Sequence, residues 1–230
     1  MSDIIRLTRN FYQQHREATN IENPQELIEA KHMGWDSIEA QIQSFEVATD
    51  LPWIDWKEVN SVLDIGCGYG GLLEFLTTTT PYQGEYWGID IEPSHIMQAI
   101  LKHTNKQKSC FQTGDFLEQD WNDRQFDVVI SLGAIGVNYD YPRRYGRKSL
   151  EYARSSISQA VRLSRSALCL YFLKADSKIR KTYRSLAYYK ISIIEAMIRE
   201  SCGVRLEDLT FVSYPKQNDI KTIAKVKLSS

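Results

Sequence analysis

The fold is decided by the stretch Val62-Leu63-Asp64-Ile65-Gly66-Cys67-Gly68-Tyr69-Gly70-Gly71. Apolar and β-branched residues lead into an acid, and glycine then occupies every second position as far as Gly70. This pattern predicts a buried strand that turns sharply into a helix beginning near Leu72. Glycine suits such a turn because the backbone can approach a ligand without a Cβ in the way. The free N–H groups at the start of the helix then face whatever lies over the strand end.

Two kinds of ligand are consistent with this turn. The run from Gly66 to Gly71 also fits the dinucleotide pattern G-x-G-x-x-G, and Asp90 follows at the expected distance. Asp64 separates the alternatives, because its carboxylate would repel a pyrophosphate and attract a ligand that carries an ammonium and a sulfonium group. A nicotinamide-dependent oxidoreductase therefore remains the less favoured alternative.

The motif D-x-G-x-G-x-G resembles the first motif of the class I S-adenosylmethionine-dependent methyltransferases. Three later stretches, at Tyr86–Asp90, Phe111–Phe116 and Phe126–Ser131, resemble the second, third and fourth strands of that family in order and spacing. The second stretch ends in an acid, and the third ends in Gly-Asp-aromatic. The resemblance covers about Val62 to Leu173.

The resemblance implies that the chain binds S-adenosyl-L-methionine and releases S-adenosyl-L-homocysteine (SAH). Asp64 would hold the methionine ammonium, Asp90 the ribose hydroxyls, and Asp115 the adenine amino group. Ile91 and Phe116 would enclose the adenine ring. The full set of expected cofactor-binding residues is Asp64, Gly66, Cys67, Gly68, Gly70, Asp90, Ile91, Asp115, Phe116 and Ser131.

From Val59 the chain alternates between strand and helix patterns, which predicts an α/β fold with helices on both faces of a parallel sheet. The expected strands are 60–65, 85–90, 109–113, 126–131 and 167–173, with helices near 71–78, 94–104 and 148–164. A long helix from about 177 to Gly203 and two strands at 210–214 and 220–228 should follow. The resemblance implies a Rossmann-like, seven-stranded, mostly parallel sheet with an antiparallel C-terminal strand. His95 and His103, on the second helix, are expected to be structural and away from the strand ends.

Residues 1–58 are predicted to form an N-terminal helical lid ahead of a methyltransferase domain at 59–230. Three helices are expected there, and Asp36 with Glu39 would form a capping box for the third. Tyr12 and Trp35 are candidate substrate-binding residues of the lid, and His32 is a candidate catalytic residue. Buried packing positions are the alternative for each of them.

The loop after the fourth predicted strand, residues 132–148, should border the acceptor. Methyl transfer from a sulfonium needs alignment and exclusion of water more than it needs an acid. Tyr139 and Asp140 are candidate catalytic residues that could deprotonate an acceptor. Tyr141, Arg143 and Arg144 are candidate substrate-binding residues, since arginine pairs with a carboxylate or phosphate. No acid cluster suited to Mg²⁺ is seen, so no metal is predicted.

Charge is unevenly distributed in a chain of 230 residues with a net charge of −1. Residues 1–60 hold 11 acids and 5 bases, whereas residues 143–190 hold 2 acids and 13 bases. This basic segment would suit RNA or a protein substrate, unless the acidic N-terminal part neutralises it. A small metabolite methylated at oxygen or nitrogen is nevertheless favoured. The Asn/Asp-Pro-Pro-aromatic motif, which resembles nucleic-acid and glutamine N-methyltransferases, is absent here, and the corresponding place reads Ser131-Leu132-Gly133-Ala134.

Cellular location and assembly are expectations from composition. No apolar run approaches the roughly 20 residues of a membrane span, and Met1 to Asn10 lacks the apolar region of a signal peptide. The chain is therefore expected to be cytoplasmic, as a monomer or homodimer. Its four cysteines, without a C-x-x-C pair, are expected to be reduced packing residues.

Overall fold

The computed structural model describes residues 34–105, 108–140, 146–175, 185–213 and 221–229. Its helices and strands are, in chain order, α1 (Ile38–Thr49), β1 (Ser61–Ile65), α2 (Gly71–Thr79), β2 (Glu85–Asp90), α3 (Pro93–Lys102), β3 (Ser109–Thr113), β4 (Phe126–Ser131), α4 (Arg147–Leu163), β5 (Ser164–Lys174), β6 (Tyr188–Tyr189), α5 (Ile191–Cys202), β7 (Leu206–Ser213) and β8 (Lys221–Leu228). No helix among these described residues is both long enough and apolar enough to cross a membrane.

The strands form one mixed sheet in the order β3-β2-β1-β4-β5-β8-β7. Strands β1 to β5 run parallel, whereas β8 lies antiparallel between β5 and β7. This arrangement confirms the predicted seven-stranded, mostly parallel sheet with an antiparallel C-terminal strand, to which the two-residue β6 adds a short partner for β5. Strand order reverses between β1 and β4, so the carboxyl ends of these two strands frame the crevice where such sheets bind ligands.

Both faces of the sheet are covered by helices, as predicted. Leu63, Val129 and Leu168 pack on one face with buried residues of α4 and α5. Their strand neighbours Val62 and Val128 pack on the other face with buried residues of α1 and α2. Consecutive strand residues are therefore buried on opposite sides, which explains the continuous apolar runs of these strands.

The predicted capping box of the third N-terminal helix is wrong. The N-cap of α1 is Ser37, whose hydroxyl accepts a hydrogen bond from the Ala40 N–H at 3.2 Å. The carboxylate of Asp36 lies outside the helix and pairs with Lys221 at 2.8 Å. A hydroxyl one residue closer to the helix therefore satisfies the free N–H group.

The predicted long helix is also wrong over 185–190, because α5 begins only at Ile191. Leu186 forms an antiparallel bridge with Val137, and Tyr188 pairs with Leu173 of β5. Ala187, Tyr188 and Tyr189 are all buried. Three consecutive buried residues suit an extended segment covered on both sides, whereas one face of a surface helix cannot bury all three. The remaining part of that predicted helix, 177–184, lies outside the described residues.

Candidate functional site

The glycine turn joins β1 to α2 and is anchored to the end of β2. The N–H groups of Gly66 and Cys67 donate to the carbonyl of Ile89 at 2.8 and 3.1 Å. Gly70 has φ +76° and is the N-cap of α2. A Cβ at Gly70 would lie 2.7 Å from Nε2 of His103, so both the backbone conformation and the close packing require glycine there.

Cys67 and Gly68 stabilise the glycine turn. The Cys67 side chain is buried, and its Sγ would lie only 2.8 Å from a Cβ at Gly88. Burial raises the pKa of the Cys67 thiol well above its usual value. The N–H of Gly68 donates to Oδ2 of Asp90 at 3.0 Å. The turn and the end of β2 are thus locked together by backbone and side-chain hydrogen bonds.

Asp90 is the carboxylate at the centre of the site. It is buried, and it borders a cavity of about 40 Å³ at the carboxyl ends of the parallel strands. Besides the Gly68 N–H, its carboxylate receives the Glu92 N–H at 2.9 Å, and its Oδ1 lies 3.2 Å from Nδ1 of His95. Asp90 is therefore oriented by β2, the glycine turn and α3 together.

The same cavity collects other residues that the sequence pattern predicted. Ile91, Asp115 and Phe116 line it on the side of β2 and β3, next to Gly66. Asp115 is buried, which raises its pKa, although Oδ1 also accepts the Leu117 N–H at 3.0 Å. Apolar side chains and two strand-end carboxylates thus meet in one crevice, an arrangement that suits a ligand with an aromatic ring and hydroxyl or amino donors.

Asp64 lies outside this lining. Its carboxylate is buried and accepts a short hydrogen bond from the hydroxyl of Tyr86. Burial raises the pKa of Asp64 to about 7, against the lowering effect of that hydrogen bond. Because alternate strand residues face opposite sides, Asp64 points away from the face of Ile65, which lines the cavity. A direct contact between Asp64 and a ligand in this cavity is therefore not supported.

Ser131 ends β4 directly opposite Ile65 of β1. Its Oγ is buried and has no hydrogen-bond partner among the described residues. Buried hydroxyls are almost always hydrogen-bonded, so an unpaired one beside the crevice fits a polar ligand atom. A Cβ at Gly66 would lie 3.4 Å from Cβ of Ala134, so the glycine also keeps the floor of the crevice open.

The two predicted catalytic residues of the loop after β4 have different positions. Tyr139 is buried, lines the cavity and lies 4.5 Å from Tyr152 between ring centroids. Asp140 instead caps α4, since its carboxylate accepts the N–H groups of Lys148 at 3.2 Å and Ser149 at 2.8 Å. Partial burial acts to raise the pKa of Asp140, but these hydrogen bonds outweigh it and the pKa is lowered. This geometry favours a capping role over a general base.

Trp35 packs within the α1 face of the sheet. Its ring centroid lies 6.4 Å from that of Phe45 and 6.0 Å from that of Tyr171, and Nζ of Lys221 lies 5.8 Å from the ring. Trp35 does not line the cavity described above. The remaining candidates, Tyr12, His32, Tyr141, Arg143 and Arg144, lie outside the described residues.

Sequence reasoning missed His95 and Tyr152. The expectation that His95 lies away from the strand ends is wrong, since its ring contacts Asp90. The available signal was spacing, because His95 follows the strand-end acid by five residues and lies in the first turn of α3. Tyr152, on α4, lines the cavity beside Tyr139. The position of Tyr152 depends on how α4 packs across the sheet, and local sequence does not predict this packing.

Comparisons with known proteins agree with this geometry. The family described as methyltransferase domain matches residues 62–156. Tocopherol O-methyltransferase of Arabidopsis thaliana is 30% identical over 101 residues, which cover 41% of this chain and 28% of that protein. Ajmaline N-methyltransferase of Rauvolfia serpentina is 32% identical over 82 residues, which cover 34% of this chain and 28% of that protein. The matched part of the chain thus spans less than a third of the length of these curated relatives.

Solved structures show the same fold over nearly the whole chain. Magnesium protoporphyrin IX methyltransferase from Synechocystis PCC 6803, with bound SAH, has a TM-score of 0.61 and 15% sequence identity. The alignment covers 99% of this chain and 100% of that one.

Proposed function

We propose that this chain, whose residues 62–156 match a methyltransferase domain, is a class I S-adenosylmethionine-dependent methyltransferase. It transfers a methyl group from S-adenosyl-L-methionine to an oxygen or nitrogen atom of a small metabolite. The observation that carries the proposal is the cavity in which Asp90 and Asp115, from successive strand ends, lie beside the glycine turn.

Each residue of the crevice has a role that follows from its chemistry. Asp90 accepts a hydrogen bond from the ribose, and Asp115 accepts one from the adenine amino group. Ile91 and Phe116 pack against the faces of the adenine ring. The Ser131 hydroxyl pairs with a polar atom at the methionine end. When bound, the cofactor supplies a methyl group on a positively charged sulfur.

The buried Asp64 lies behind the glycine turn and outside the lining of the cavity. Its pKa is raised to about 7, so its carboxylate becomes charged only as pH rises through neutrality. The ionised form favours a cationic ligand and disfavours a pyrophosphate, because charges interact more strongly where water is excluded, and this weighs against the oxidoreductase alternative. Tyr139 and Tyr152 close another side of the cavity and exclude water from the reacting atoms.

Acids neutralise part of the positive charge in the described part of the segment 143–190. Arg147 pairs with Glu151, Arg154 with Glu200, and Arg165 with Asp127. These three ion pairs lower the positive charge that the segment offers to RNA phosphates, which favours a small acceptor. The relatives named for tocopherol and ajmaline also support a small acceptor. Cytoplasmic location, a monomeric or homodimeric state and metal independence stay predictions.

The cofactor proposal is tested by calorimetric titration of S-adenosyl-L-methionine, SAH and NAD into the wild type, Asp90→Ala and Asp123→Ala. Asp123 is exposed and does not line the cavity, so its variant is the matched control. We expect micromolar binding of both sulfur ligands to the wild type and the control, and at least tenfold weaker binding to Asp90→Ala. Binding of NAD without binding of the sulfur ligands would support the oxidoreductase alternative instead.

The acceptor proposal is tested by transfer of a radiolabelled methyl group to two pools, one of small phenols and amines and one of RNA. Transfer to a member of the first pool, at a rate that falls in the Asp90→Ala variant, is the expected result. Transfer only to RNA, with binding that weakens steeply as salt rises, would contradict the small-acceptor proposal.

A further inference from the structure

We infer that His95 is a positioning residue for the cofactor site, which holds the Asp90 carboxylate in the orientation that accepts a ribose hydroxyl. The inference rests on the proposed function. His95 is fully buried and lies in the first turn of α3. It does not line the cavity itself but contacts Asp90, which does.

The contact is specific to one atom of the ring. Nδ1 of His95 lies 3.2 Å from Oδ1 of Asp90, whereas the two backbone N–H groups of Gly68 and Glu92 supply the other hydrogen bonds to that carboxylate. We assign the hydrogen of this contact to Nδ1, because a carboxylate oxygen is an acceptor. His95 is therefore the side-chain donor among the described partners of Asp90.

The contact with His95 restricts which oxygen of Asp90 can bind a ligand. A carboxylate has about four lone-pair positions, two on each oxygen. Oδ1 of Asp90 receives the Glu92 N–H and the His95 ring, and Oδ2 receives the Gly68 N–H. The contacts among the described residues leave one position, on Oδ2, for a ligand. Because both positions on Oδ1 are occupied, the carboxylate cannot rotate without breaking hydrogen bonds, and Oδ2 remains the oxygen available to the ribose.

The ring itself is held in place by its surroundings. The His95 backbone N–H donates to the Glu92 carbonyl at 3.0 Å, which fixes the first turn of α3. The Tyr69 ring, from the glycine turn, meets the His95 ring edge-on with centroids 5.5 Å apart. His95 thus links three parts of the site: α3, the glycine turn and the end of β2. A side chain that only filled space would not need a donor at this atom.

Three substitutions separate positioning from packing. His95→Asn keeps an amide N–H close to the place of Nδ1, His95→Gln moves its amide toward the place of Nε2, and His95→Leu removes the donor. Each variant is titrated with SAH and with the analogue of SAH that lacks both ribose hydroxyls. Thermal unfolding of each variant is recorded, and the Asn and Gln pair carries the test if His95→Leu does not fold.

For SAH we expect about tenfold weaker binding to His95→Leu and His95→Gln, and a loss of no more than about threefold for His95→Asn. The dideoxy analogue should bind all variants within about twofold of the wild type, because it makes no hydrogen bond to Asp90. Equal losses for both ligands, or no loss of SAH binding in His95→Gln, would overturn the inference. A wild type that binds neither ligand would instead contradict the proposed function on which the inference rests.

Discussion

Asp64 and Asp90 end neighbouring strands, yet the structure uses the two carboxylates differently. Asp90 faces the cavity with an acceptor position available, whereas Asp64 is enclosed and bonded to Tyr86. Both positions could be predicted from the sequence, because an acid at the end of an apolar strand is visible in the pattern. The side to which Asp64 points, and the support that His95 gives to Asp90, depend on packing between elements and could not be predicted.

The burial of Asp64 predicts a pH-dependent stability. Its pKa is raised to about 7 in the folded protein, against about 3.9 in an unfolded chain. Between pH 4 and 7 the folded state therefore keeps a proton that the unfolded state releases. The free energy of unfolding should fall as pH rises through this window and become level above it, by an amount on the order of 4 kcal/mol for full ionisation.

Urea unfolding of the wild type and Asp64→Asn at pH 5 and pH 8 measures this effect. Asparagine stays neutral and can still accept the Tyr86 hydrogen bond, so the variant should gain stability relative to the wild type as pH rises. Asp123→Asn, on the surface, should show no such change. A difference between Asp64→Asn and the wild type that is equal at both pH values would mean that Asp64 does not titrate in this range.

At the scale of elements, the strands and most helices follow directly from local patterns. The two exceptions are the segment 185–189 and the cap of α1, where tertiary contacts override the local pattern. Leu186 has helical spacing with its neighbours, but it pairs with Val137 because the segment 185–189 lies beside the loop after β4. Likewise, Asp36 looks like a cap in the sequence, but Lys221 of β8 competes for its carboxylate. Neither partner is visible from local sequence.

The cap of α4 gives a prediction that separates two roles of Asp140. Its carboxylate receives the N–H groups of Lys148 and Ser149, and a Cβ at Gly146 would collide with it at 1.8 Å. We expect Asp140→Ala to lower the free energy of unfolding by about 1 kcal/mol. The value of kcat should stay within about tenfold of the wild type, because a helix cap takes no part in proton transfer.

Asp140→Asn is the matched variant, since its side-chain oxygen still accepts a hydrogen bond from α4 but cannot act as a base. We expect it to unfold close to the wild type and to retain kcat. Denaturant titration and initial rates with an identified acceptor measure both quantities. A loss of kcat of a hundredfold or more in both variants would restore the general-base role that the sequence indicated.

At the scale of the whole molecule, the described residues form two cores, one on each face of the sheet, and the second core includes the described part of the predicted N-terminal lid. Phe45, Leu51 and Trp56 are buried with Val62 and other strand residues. The side chain of Lys225, on β8, donates to the Asp50 carbonyl after α1. The sequence indicated an amphipathic helix here but not its packing partner, and the domain boundary between residues 58 and 59 stays a prediction.

The integration of α1 predicts that a substitution in it will destabilise the whole sheet. Phe45 is 7% exposed and packs against the rings of Trp35 and Phe75, whereas Ile42 on the same helix is 41% exposed. Phe45→Ala should lower the free energy of unfolding by about 3 to 5 kcal/mol, in one cooperative transition. Ile42→Ala should cost less than about 1 kcal/mol, because its side chain is already largely in water. Urea unfolding followed by tryptophan fluorescence and by far-UV circular dichroism measures both variants. If α1 were a detachable lid, Phe45→Ala would leave the main transition unchanged and add an earlier one, because only the helix would separate from an intact sheet.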